Sequence, residues 1–360
     1  MSKTVDVWIG TTTPRNGESK GIYHSTLDTE TGALGPVTLA AELGSPGFVA
    51  LHPKAPRLYA VGSHDGQSVV ASFAIESSGR TKSLRLLKTT AIPDGGAAHL
   101  ALDREGKVLM TAQYGAGSTA LFSINDDGIV DRHLQSVKHQ GGSRVVPKRQ
   151  DSPHAHWAGV SPDNRFAFVP DLGLDQVVIY RLESGATPRL HPHGAGNTPP
   201  GGGPRHMKFH PNGKTIYVLN ELALSVTVFD YDAEAGTMTA VQSLPTVPEV
   251  EKAKENFVSA SEIRVHPTGK FVYAANRGHD TITAFRVNES DGKLTLIERE
   301  PIRGSWPRNF NLDPTGRWLV AAGRDSNTLA VFEVNSDTGE LTYTLKMASA
   351  PTPICVEFGK

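Results

Sequence analysis

A single cysteine, Cys355, is all the thiol chemistry in this chain of 360 residues. It excludes an intramolecular disulfide and fits a reducing compartment. No stretch approaches the roughly 18 consecutive apolar residues of a membrane-spanning helix, and MSKTVDVWIG has no apolar signal core. The chain is therefore expected to be cytoplasmic, with no membrane partner. An excess of one charge is also lacking: 36 Lys and Arg stand against 37 Asp and Glu, a formal net charge of −1. That balance excludes a basic field for nucleic acid and an acidic tail, so any functional charge must be local. No long segment carries helical periodicity.

What is present is turn chemistry. Gly (36) and Pro (24) are abundant, which suits many tight turns between short strands. The turns recur. LHPKAPRLYAV, VSPDNRFAFV, FHPNGKTIYV, VHPTGKFVYA and LDPTGRWLVA place Pro53, Pro162, Pro211, Pro267 and Pro314 at matching points. LDREGKVLMT supplies a sixth copy, with Arg104 in the proline position, and the mean spacing is about 52 residues. A short alternating strand precedes each anchor, and two more strands follow it. A unit of this size with three or four antiparallel strands matches a propeller blade. The N-terminal VDVWIGTTT…LDTETGAL resembles the later part of a unit, and the terminal PTPICVEF resembles a first strand with nothing after it. The expectation is an all-β, seven-bladed β-propeller in one domain, residues 1–360. Its seventh blade combines 1–34 with 351–360, and pairing of the terminal strands closes the ring and removes open sheet edges. The inserts 133–153, 184–204 and 233–257 read as loops between blades.

The innermost strand of a blade lines the central channel. Five to six residues before the anchors stand Phe48, His99, His156, Arg205 with His206, Glu262, and Arg308 with Asn309. Nine to ten residues after them stand Gly62–Ser63, Gln113–Tyr114, Asp171–Leu172, Asn220–Glu221, Asn276–Arg277 and Gly323–Arg324. Antiparallel pairing brings both columns to the same end of the channel. A structural repeat would use similar residues in each copy, but these differ. Guanidiniums facing carboxylates and an imidazole suit an anionic substrate. A His or Glu could act as general base and an Arg could stabilise an oxyanion. The competing reading is that Arg–Glu pairs simply glue adjacent blades together. His154 and His156 alternate as metal ligands on a strand would, yet no carboxylate or thiol accompanies them at ligand spacing. No metal or other cofactor is expected. The histidines of the HP turns, His52, His210 and His266, read as turn caps. GGGPR at 201–205 lacks the strand–helix context of a phosphate loop, and Cys355 reads as buried and inert.

At these residues the chain resembles the propeller-type 6-phosphogluconolactonase family, which includes fungal 3-carboxy-cis,cis-muconate lactonizing enzymes. IGTTT…SKGIY…LDTETGAL, PKRQDSPHAHW, GPRHMKFHPNGKTIYVLNEL, FVYAANRGHD and WPRNFNLDPTGRW carry the resemblance, in order and end to end. It implies a seven-bladed propeller that acts on a small anionic lactone or hydroxy acid without a metal. It implies catalytic roles for His156, Arg205, Glu221 and Arg277. His154, His206, Asn220, Glu262, Asn276, Arg308, Asn309, Arg324 and Gln113 would bind substrate around them. Gly62–Ser63, Gln113, Gly323–Arg324 and Trp157 depart from the family's usual residues near the expected mouth. Hydrolysis of a sugar-acid lactone is the first reading. Lactonization or isomerisation is the second, and a non-catalytic binding propeller the third.

Overall fold

Seven four-stranded antiparallel sheets make up the computed structural model, which describes residues 3–13, 18–78, 81–254 and 257–359. Six blades follow the anchors in order. Blade four is representative: Pro204–Phe209 lies innermost, followed outward by Thr215–Asn220, Ser225–Asp232 and Thr237–Pro245. The innermost strands of the other anchored blades are Gly44–Leu51, His99–Leu102, Gly159–Val160, Ser259–Val265 and Pro307–Leu312. Blade seven takes Pro353–Phe358 as its inner strand and adds Thr4–Thr11, Gly21–Asp28 and Thr38–Glu42. Trp8 pairs with Glu357 and Gly10 with Cys355, so the two ends of the chain close one sheet. This blade reaches Glu42 rather than ending at 34.

The inserts expected as loops carry structure of their own. Val130–Lys138, Arg189–Asn197 and Thr237–Pro245 are the outermost strands of their blades. An outermost strand is bonded on one edge only and faces water. Most of its residues stay exposed or half-buried, and in Thr237–Pro245 only Met238 is buried, so the clean apolar alternation of a half-buried strand is weak there.

Blades pack through the apolar faces of their sheets. Met207 of blade four sits against Phe168, Ile179 and Trp157 of blade three, and Ile263 of blade five against Tyr217 and Leu219 of blade four. The HP histidines do more than cap their own turns. Nδ1 of His210 and of His266 accepts a backbone N–H two residues on, while Nε2–H donates across to the carbonyl of Gly269 and of Gly316 in the next blade. Both glycines have φ near +80°, and a Cβ on either would lie 2.4–2.5 Å from the facing imidazole. Any side chain there would meet strain and collision together. Deleting Pro353–Phe358 removes the inner strand of blade seven and exposes the edge of Thr4–Thr11. The expected outcome is loss of soluble monomer, read by size-exclusion chromatography; a monomer with an unchanged melting temperature would contradict the closure.

Candidate functional site

Inner strands do not keep strict alternation at one mouth of the channel, and that irregularity builds the site. In blade four Pro204 pairs with Asn220 but His206 pairs with Leu219, leaving Arg205 as an extra residue. In blade six Pro307 pairs with Gly323 and Asn309 with Ala322, leaving Arg308 extra. In blade five the register shifts between Ala260 and Ile263, at Ser261 and Glu262. Such bulges re-aim side chains. Consecutive residues Arg205 and His206, and likewise Arg308 and Asn309, line one cavity of about 100 Å³. Gly47, Phe48, Ala97, Ala98 and Ile354 form its other wall. One side of the channel is small and apolar, and the other is charged.

Glu221 is the hub of the charged side. Its Oε2 accepts from Arg205 Nε at 2.9 Å and meets Arg277 Nη2 at 3.0 Å; its Oε1 accepts from Arg149 Nη2 at 2.7 Å. Burial alone would raise the Glu221 carboxyl, but Arg277 and Arg205 hold it well below the usual carboxylate range. Three guanidiniums hold it as a carboxylate and make it a weak base, poorly suited to take a proton near neutral pH. Arg205 has few donors to spare either: it also donates to His206 Nε2 and to the Ser261 carbonyl. Arg277 anchors on the Ala260 carbonyl at 2.8 Å, while its Nε is buried without a partner. Arg308 makes no hydrogen bond to the described residues, and burial, then Arg277, push it down to about 10. This cation has unused donors facing the channel.

His156 stands beside these cations with Nδ1 buried and unpartnered. Burial, Arg205 and His206 push it well below the ordinary histidine value, so the ring is neutral and able to accept a proton. His206 is spoken for: Nδ1–H donates to Glu262 at 3.1 Å and Nε2 accepts from Arg205. Glu262 further accepts from the Asn309 amide and the Ile263 N–H. His206, Glu262 and Asn309 thus form a buried layer under the Glu221 cluster and tie three inner strands together.

The remaining expected residues lie elsewhere. Gln113, Asn220 and Asn276 have their amide nitrogens bonded within their own blades, to Thr111, to Ser225 and Thr227, and to Thr281 and Thr283. They fasten strand ends, a role visible in hindsight for Asn220 and Asn276 from the Ser/Thr positions five and seven residues later, while Gln113 reaches back two residues. Arg324 is turned to the rim, where it bonds Asp325 and lies 5.0 Å over the Trp306 ring. His154 is a rim residue too, stacked at 4.5 Å on Tyr114 with Nδ1–H donating to the Tyr114 carbonyl. Three contributors lie outside the residues expected from the sequence. Arg149 comes from the loop before PHAH and also bonds the Tyr114 hydroxyl at 3.3 Å. Tyr114 itself sits in the second column, next to the expected Gln113. Trp306 lies 5.7 Å from the Arg277 guanidinium. For Arg149 and Trp306 the only sequence signals are a charge in an insert and an aromatic beside a proline.

Breaking this cluster has a defined cost. Glu221→Gln leaves three guanidiniums around a neutral amide, and losing the partner of a buried ion pair typically costs about 3–5 kcal/mol. Glu221 has a depressed folded pKa, so its contribution is present above the unfolded value of about 4.3 and is lost as pH falls through the folded value. Wild type should therefore lose stability on acidification more steeply than Glu221→Gln, which denaturant unfolding across pH 7 to 3 will measure. Parallel pH curves would contradict the ionised hub.

Among the described residues no group of three or more His, Cys, Asp or Glu is placed to hold a metal ion, and no helix is long and apolar enough to cross a membrane. Residues 6–358 match the family model described as Lactonase, 7-bladed beta-propeller. The 6-phosphogluconolactonase of Bacillus subtilis (strain 168) is 36% identical over 354 residues, 98% of this chain and 97% of that protein. The crystal structure of a putative 6-phosphogluconolactonase from Bacteroides fragilis superimposes with a TM-score of 0.90 at 28% identity, over 100% of this chain and 99% of that one. The Pseudomonas aeruginosa periplasmic gluconolactonase gives 0.89 at 28% identity, over 99% of each chain.

Proposed function

We propose, from the premise that this chain belongs to the seven-bladed β-propeller lactonase family and is a lactonase, a carboxylic ester hydrolase, that it opens an anionic sugar-acid lactone at the Glu221 mouth. Its first candidate substrate is 6-phosphogluconolactone, after the names its relatives carry. The single observation behind the anionic assignment is Arg308, a half-buried cation with no acceptor among the described residues, beside Arg277 with its unpartnered Nε.

The roles follow from what each group has left to offer. His156, neutral and unpartnered, takes a proton from water as that water attacks the lactone carbonyl carbon. Arg277 donates to the oxyanion of the tetrahedral intermediate, and Arg308 holds the substrate's phosphate or carboxylate. The ring C–O bond then breaks, and the imidazolium returns its proton to the departing alkoxide, giving the open hydroxy acid. Arg205 and Glu221 orient this machinery. Cytoplasmic action belongs to the same reading, although the P. aeruginosa relative is described as periplasmic; cell fractionation decides it.

The test is acid release from 6-phosphogluconolactone, glucono- and galactono-lactones and an aldarolactone, corrected for spontaneous hydrolysis and run with and without chelator. Acid release that prefers the anionic lactones and survives the chelator is the expected result. Equal rates on charged and neutral lactones would remove Arg308 from its role.

A further inference from the structure

The channel has a second mouth. Beneath the layer that contains Phe48, His99, His206 and Glu262 it opens into a cavity of about 530 Å³. Lys208 of blade four and Arg264 of blade five stand on its wall, each three residues before its proline anchor. Glu262 comes within 3.4 Å of Arg264 Nη2 and 3.9 Å of Lys208 Nζ. That carboxylate is already engaged by His206, Asn309 and the Ile263 N–H. The Lys208 ammonium makes no hydrogen bond to the described residues, although its side chain is only 20% exposed. It lies 5.3 Å over the ring of Trp157, which is buried and also lines the cavity, and whose indole N–H has no partner. Asp103, in the same cavity, does not answer this charge: its oxygens accept from the Lys107 and Val108 N–H groups and the Asn164 amide. Glu357 lines the same cavity, accepts from the Asn311 amide at 3.4 Å and adds its field to that of Glu262 at Lys208, without a hydrogen bond to the ammonium.

We propose that this second mouth is a binding site for a small hydroxylated oxyanion, a carboxylate or a phosphate ester, held between Lys208 and Arg264. An ammonium taken largely out of water needs acceptors for its N–H groups, and an oxyanion supplies both acceptors and charge. Burial and the neighbouring Arg264 push Lys208 down to about 8, a penalty that a bound anion relieves. Trp157 offers a flat wall for the ligand's carbon chain. Glu357, although it already accepts from the Asn311 amide, keeps further carboxylate lone pairs on this cavity for ligand hydroxyls, which favours a polyhydroxy chain over a bare ion. The site shares only the buried layer with the Glu221 mouth and does not depend on its assignment.

Gluconate and glycerol 3-phosphate are the probes, followed by saturation-transfer NMR at pH 7 on the full chain. The background is Arg308→Met, which removes from the other mouth the cation assigned there to the ground-state anion. At least one probe should bind this variant, and adding Lys208→Met should weaken that binding by tenfold or more; Arg264→Gln repeats the test with a different residue. Response to gluconate alone assigns a carboxylate ligand, and response to glycerol 3-phosphate alone a phosphate ester. Binding that survives both Lys208→Met and Arg264→Gln in folded protein overturns the proposal. So does failure of both probes to bind Arg308→Met.

Discussion

Arg277→Ala is expected to lose turnover while keeping its fold, with kcat/KM reduced by about 10²–10³, the usual effect of removing one donor to a developing oxyanion. The fold should survive because Glu221 keeps Arg205 at 2.9 Å and Arg149 at 2.7 Å, so the buried carboxylate is not orphaned. The loss should fall on kcat more than KM, since Arg308 still provides a cation for the ground-state anion. Arg277→Lys should recover little. The present residue holds Glu221 and the Ala260 carbonyl through one nitrogen and still leaves Nε to donate, a fork that an ammonium does not reproduce. Steady-state kinetics alongside thermal unfolding separates these effects. Wild-type rates in Arg277→Ala would remove the residue from the mechanism.

His156→Ala should lower the rate by about 10²–10⁴, the range for a lost general base. The two carboxylates nearby cannot stand in, for different reasons. Glu221 is held as a weakly basic carboxylate by three guanidiniums, and Glu262 is 0% exposed and engaged by His206, Asn309, Arg264 and the Ile263 N–H, with Lys208 at 3.9 Å. A fall of less than tenfold would therefore end the assignment of His156 and leave water activated by none of these groups. The pH profile adds an independent readout. The groups facing His156 are Arg205, His206, Glu221 and Arg308, and the net push on its imidazolium is downward. The base form then persists well below the ordinary histidine value of about 6.5. The acid limb of kcat/KM in wild type should lie well below the ordinary histidine value, and His156→Ala should lack it. An acid limb centred near the ordinary histidine value or above would contradict the buried, cation-flanked environment.

Much of the site is legible in the sequence because repeats make a chain self-aligning. With the prolines in register, residues that break the repeat stand out, and His156, Arg205, Glu221, Arg277 and Arg308 are among them. The same comparison also marks Gln113, Asn220 and Asn276, whose amide nitrogens have structural partners. They also occupy a mouth-facing column, yet their amides serve Ser and Thr hydroxyls within their own blades. Column position fixes the height of a residue along the channel, not the direction of its side chain. Arg149 is out of reach altogether. It meets Glu221 across 72 residues of chain from a loop with no counterpart in the other repeats.

The sequence by itself determined the number of blades, the closure of the ring by its two ends and the end of the channel where the charges gather. Each depends on local turn chemistry, period-two patterning and the antiparallel return of a hairpin, which neighbouring residues specify. Only the tertiary structure decided which charges remain available for chemistry. That division depends on bulges at Arg205 and Arg308, which turn consecutive residues into one cavity against the strand period. It depends equally on the convergence of Arg149, Arg205 and Arg277 from separate parts of the chain onto Glu221. Ion pairing and burial are set by distances of about 3 to 4 Å between distant segments, and no local pattern carries such distances.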